Sequence, residues 1–163
     1  MKTKVPILIV VVLIAIVVFL SFKNKKTDAP VVVNPVAETL CFGRIQEATP
    51  TAPYHVEEHI VLTIDGTSVT GTKRGTQAGP DMTNGYEGTL SGSKLDTTLE
   101  LVYAYTIEGS TGKELELYTF GTNELVKKRW VLTEEKRNGS TILVPDHKGE
   151  PTLITYTKEV CAK

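Results

Sequence analysis

The chain has 163 residues, 18 Lys and Arg against 19 Asp and Glu, and only two cysteines. From Leu40 onward the balance is 13 cationic against 17 anionic side chains, which gives no electrostatic footprint for nucleic acid or for anionic lipid heads. That stretch is long enough for one domain with its own core, and Trp130 with six Tyr and two Phe forms no dense stacking platform.

Residues 5–22 (VPILIVVVLIAIVVFLSF) carry no charge, and Ser21 is the one polar side chain. As a helix this run rises about 27 Å, close to the ~30 Å hydrocarbon core of a bilayer. It is longer than the apolar region of a signal peptide. Phe19, Leu20 and Phe22 also stand where a signal peptidase needs small residues. The expectation is an uncleaved signal anchor, with a cleaved signal peptide as the alternative. Residues 1–4 then form a cytoplasmic end, 5–22 a transmembrane helix, 23–38 a flexible linker stiffened by Pro30 and Pro35, and 39–163 an extracytoplasmic β domain. Flanking charge does not orient the span, because Lys2 and Lys4 oppose Lys23, Lys25 and Lys26. The cysteines do. Cys41 and Cys161 stand at the two ends of the β domain, as one bridge between first and last strands requires, and such a bridge needs an oxidising compartment.

Beyond residue 39 the signals are short strands and turns, with no helical apolar stripe. Strands are expected over 39–46 and 54–64, with a hairpin at Asp65-Gly66 leading into 67–72. In the second strand, alternation puts Val56, Ile60, Leu62 and Ile64 on one face and His55, Glu57, His59, Thr63 and Asp65, with Val61, on the other. The glycine-rich run 71–85 reads as a long hairpin loop, followed by a strand over 85–92 and a turn at Ser93-Lys94. A clearly alternating strand over 95–107 would align Leu95, Leu99, Leu101, Tyr103, Tyr105 and Ile107. Strands over 113–120 and 124–133, a turn at Asn138-Gly139, a short segment 141–144 and a closing strand 151–161 complete the chain. About eight strands with paired ends describe an all-β antiparallel meander, a small closed barrel with a two-sheet sandwich as the alternative. Gly71, Gly88 and Gly92 suit the bends of such a barrel.

The run 60–118, with Gly85-Tyr86-Glu87-Gly88-Thr89-Leu90-Ser91-Gly92, Tyr103-Ala104-Tyr105 and Glu108-Gly109, resembles a group of small uncharacterised bacterial envelope proteins with a lipocalin-like barrel pattern. The resemblance implies fold and an exported location. It carries no catalytic motif.

Few constellations could carry chemistry. His55, Glu57 and His59 form a row of metal-capable side chains on one strand face, the basis for an alternative reading as a metal-dependent hydrolase, although the same row suits a solvated face. Glu58 points inward with the apolar face and needs a partner such as Arg44, Tyr103 or Tyr105; Glu58, Tyr103 and Tyr105 are the candidate ligand-binding residues. Glu114 and Glu116 share a face and read as solvent-facing. No serine lies in a nucleophile elbow, and the run 71–85 lacks the Lys-Ser/Thr ending of a phosphate loop. The expectation is a non-enzymatic, membrane-anchored protein with no metal or cofactor. It would bind a small apolar or amphiphilic ligand or an envelope component, the alternative being an assembly partner without a cavity.

Overall fold

The structure, a computed structural model, describes residues 36–80 and 82–161. The expected anchor and nearly all of the expected linker lie outside them. The described residues contain no helix. Ten strands form one sheet: β1 (Glu38–Gln46), β2 (His55–Asp65), β3 (Ser68–Gly79), β4 (Met82–Leu95), β5 (Thr98–Ile107), β6 (Ser110–Phe120), β7 (Glu124–Arg129), β8 (Leu132–Arg137), β9 (Ser140–Pro145) and β10 (Thr152–Glu159).

Eight of them close on themselves. β1 to β7 pair antiparallel in chain order, β10 joins β7, and β10 returns to β1 through the pairs Cys41↔Glu159, Phe42↔Lys158 and Gly43↔Thr157. Closure excludes the sandwich. The β8–β9 hairpin is an excursion from the wall; β9 meets β6 in parallel at Glu114↔Leu143. Ile142 and Val144 of β9 pack with Leu115 and Val102 as a second, smaller core on the outside of the barrel. Pro35–Lys163 forms a compact unit. Its strand pairings and its disulfide all lie within it, so this unit carries what it needs to fold by itself.

Tight turns join the strands, and their positions correct three expectations. The first hairpin loop is Gly66-Thr67, with Asp65 already paired to Ser68 and Gly66 at φ 60°, the pattern of a turn that needs positive φ at its first central position only. The next turn on this end is Asp96-Thr97 and not Ser93-Lys94, so Leu95 ends β4 at 76% exposure instead of joining the inward face of β5. The run 71–85 is no loop: β3 continues to Gly79 and β4 starts at Met82, paired Gly79↔Met82. A β carbon at Gly71 or Gly88 would sit 2.1 or 2.2 Å from a carbonyl oxygen of the neighbouring strand. Glycine there lets the small barrel wrap tightly. The strand expected over 124–133 also breaks, at Trp130-Val131, where the chain leaves the wall for β8.

The barrel interior divides along its axis. At the end where β1 begins, Phe42, Ile60, Leu62, Val69, Leu99 and Leu125 fill the lumen and are almost fully buried. Removing such side chains from water is the main stabilising term, roughly 1.5–3 kcal/mol for each large one. The expected bridge is present: Cys41 and Cys161 are joined with their Cα atoms 5.2 Å apart. It sits beside the β1–β10 seam, whose three residue pairs are the fewest of any seam in the barrel.

Candidate functional site

Toward the other end the lumen opens into a cup of about 740 Å³. The inward positions of β1, β2, β3, β6 and β7 place charged side chains on its floor, because alternation that starts from the apolar plug reaches Arg44, Glu58, Lys73, Glu116 and Lys127 with the same parity. They neutralise one another. Arg44 Nη1 donates to Glu58 Oε2 at 2.7 Å, Lys73 Nζ donates to Glu116 Oε1 at 2.7 Å, and Lys127 Nζ donates to Glu116 and, at 3.0 Å, to Glu114. Tyrosines complete the shell: Tyr86 and, at 3.1 Å, Tyr156 donate to Glu58, while Tyr118 donates to Glu116.

Electrostatics follow from that shell. Burial pushes the Glu58 carboxyl up, but the Lys73 charge and the hydrogen bonds from Tyr86 and Arg44 outweigh it, leaving the group below the usual carboxylate value. Glu116 behaves alike, burial being outweighed by Lys73 and Lys127. Lys127 is held above its ordinary value by Glu116 and Glu114 in spite of burial. Burial and the neighbouring carboxylates push Tyr86, Tyr103, Tyr118 and Tyr156 upward, so these phenols stay protonated and donate.

Glu58, Tyr103 and Tyr105 all line this cup. Of the partners considered for Glu58, Arg44 is the one that reaches it, and the phenols that do so are Tyr86 and Tyr156. Tyr103 instead donates to the Lys73 carbonyl at 3.3 Å, with Lys73 Nζ 4.8 Å from its ring centroid, and Tyr105 stacks on Tyr103 at 5.1 Å. Glu116 corrects the expectation of a solvent-facing carboxylate: it is 1% exposed inside the barrel. The pattern of β6 is inverted because β9 covers part of its outer face, so Leu115 is buried outside and Glu116 within. Lys73, Lys127, Tyr86, Tyr118 and Tyr156 were not singled out from sequence. The available signal was an inward-parity lysine opposite inward glutamates, legible only once β3 is known to be a strand.

Around the mouth the lining gains apolar and aromatic side chains, Tyr54, Val56, Ile107, Trp130, Leu132 and Leu153, beside Gln77, Arg129 and Thr152. Trp130 is held by donation of its indole N–H to the Gly149 carbonyl at 3.1 Å and by edge contact with His147. Val131 and Leu153 are 74% and 61% exposed beside it.

The His55, Glu57 and His59 row lies on the outer face. His59 Nε2 faces Glu57 at 3.0 Å and Nδ1 faces Glu159 of β10 at 2.9 Å, while His55 turns to Glu47 at 3.2 Å. Two carboxylates on two ring nitrogens favour an imidazolium, and the hydrogen bonds to Glu159 and then Glu57 raise the His59 pKa. Glu159 can lie across β1 only because Gly43 has no side chain there; its β carbon would fall 2.3 Å from Glu159 Oε2. His59 thus clasps β2 to β10 over β1. Among the described residues no group of three His, Cys, Asp or Glu is placed to hold a metal ion. No family model matches the chain, and no curated protein matches it.

Proposed function

We propose that the barrel is the binding domain of a membrane-anchored extracytoplasmic protein, non-enzymatic and without a resident cofactor, that holds a small amphiphilic molecule in its cup. The observation that carries this reading is the gradient of the lining, charged and hydrogen-bonding at the floor and gaining aliphatic and aromatic side chains, beside Arg129, at the mouth. A wholly apolar ligand would cover the floor's ion pairs without returning any hydrogen bond, which is costly. An amphiphile entering polar end first satisfies both zones.

Trp130, the sole tryptophan, lines the mouth and serves as a built-in reporter. Titrating the unit 35–163 with short-chain amphiphiles should change Trp130 emission saturably at a stoichiometry of one. Probes that leave the emission and the heat of mixing unchanged would refute the reading. The anchor is tested separately: protease added to intact spheroplasts should remove the barrel, and protection would overturn the extracytoplasmic location.

A further inference from the structure

Resting on the reading of the cup as a binding site, we infer that its ligand carries an anionic, oxygen-rich head, a carboxylate or a phosphate monoester. Two independent features of the cup point there. The first is charge. Arg44, Lys73 and Lys127 balance Glu58, Glu114 and Glu116 on the floor, and Arg129 at the mouth leaves the cup with an excess of one positive charge inside a domain that is negative as a whole. The second is hydrogen-bond capacity.

Glu58 accepts from Arg44, Tyr86 and Tyr156, and Glu116 accepts from Lys73, Lys127 and Tyr118, so each carboxylate is close to the roughly four acceptor sites it offers. The cations are far from filled. Lys73 has three N–H donors and spends one on Glu116, its next carboxylate, Glu58, being 3.8 Å away. Arg44 has five and spends two, on Glu58 and Gln46. Arg129, at the mouth, forms no ion pair with any described residue. Glu114 accepts from Lys127 alone and keeps acceptor capacity beside that cation, but around Glu58 and Glu116 the capacity left open is donor capacity on Lys73 and Arg44. A head group rich in anionic oxygen matches it in sign and in hydrogen-bond type. A neutral polyol matches the second only, and a quaternary ammonium matches neither. Arg129 would meet the head on the way in, and the tail would then lie against Val56, Ile107 and Trp130.

The test uses the unit 35–163 and four probes of one chain length, each below its micelle concentration: octanoate, octyl phosphate, octyl glucoside and octyltrimethylammonium. Calorimetry and Trp130 emission read the affinities. At least one anion should bind about tenfold more tightly than the glucoside, the worth of one hydrogen bond to a charged group, with the ammonium weakest. Which anion leads assigns carboxylate or phosphate. Arg129→Gln, at an exposed position, should slow association of the anions, followed by stopped-flow Trp130 emission, several-fold more than association of the glucoside. Raising the ionic strength should do the same in the unaltered protein. A glucoside that binds as well as the anions, or an ammonium that binds best, overturns the anionic head and leaves the cup a binding site. Silence from all four overturns the cup reading and this inference together.

Discussion

Replacing Glu116 by Gln removes one negative charge from a position 1% exposed and keeps the side chain's size. Two ammonium groups lose their shared partner. Lys127 retains Glu114 at 3.0 Å, but Lys73 is left with Glu58 at 3.8 Å and with the face of Tyr103. Taking one partner from a buried ion pair costs about 3–5 kcal/mol because the survivor stays desolvated, and the alternative partners here place the expected loss near ~3 kcal/mol. A domain of this size has roughly 5–15 kcal/mol to lose, so the variant should still fold. Urea unfolding of the unit 35–163, followed by Trp130 emission and far-ultraviolet circular dichroism, should show a lower midpoint with an unchanged slope. Adding Lys73→Met should recover at least about 1 kcal/mol, since the double variant no longer buries that ammonium. A loss below about 1 kcal/mol for Glu116→Gln would mean that water reaches the carboxylate and that the floor is not the closed ionic network described.

Three further outcomes are expected. The raised pKa of His59 makes its clasp fully present below the unfolded value near 6.5 and lost as pH rises through the folded value, so His59→Ala should cost about 0.5 kcal/mol in mild acid and nothing at high pH, read from paired melts. Glu108 adopts φ 50° ahead of Gly109 at φ 78°, a pairing that suits Asn-Gly, and Glu108→Asn should raise stability by about 0.5–1 kcal/mol in urea melts. Cys161→Ser should lower stability by about 2–5 kcal/mol while leaving the strand content in far-ultraviolet spectra unchanged.

How much of this was legible in the sequence varies by strand, for physical reasons. In β5 the inward period-two pattern is complete from Leu99 to Ile107, and in β2 it runs from Val56 to Ile64 with Glu58 as the one inward interruption, so both faces follow directly. In β3 the inward positions include Gly71, Gly75 and Gly79, which carry no side chain to mark a face, and the strand looks like a loop. The error hid Lys73, and with it the network. In β6 the hydrophobic side chains Leu115 and Leu117 mark the outer face, the reverse of what one-sided burial teaches, because a hairpin excised from the wall returns to cover part of it. Nothing in the spacing of Glu114 and Glu116 distinguishes that case from an ordinary wet face. The disulfide was legible because its position at both ends of the domain needs only closure to explain it.

The distribution of cost across the barrel bears on what the cup is for. Buried ion pairs seldom add net stability, and well-packed apolar side chains of similar volume commonly do as well or better. The plug shows that this barrel accommodates such packing, since Phe42, Ile60, Leu99 and Leu125 fill the lumen one turn of the wall away. A floor of Glu58, Lys73, Glu116 and Lys127 is therefore not explained by stability. The bridge lies with the apolar plug at the closed end and the His59 clasp spans the seam beside it, whereas the tight turns are shared between the ends, Gly66-Thr67 and Asp96-Thr97 at the closed end and Glu108-Gly109 at the mouth. Stability is concentrated away from the cup, which leaves its side chains free to be selected for chemistry. That separation is the physical ground for placing the ligand at the charged floor rather than in the apolar half of the lumen.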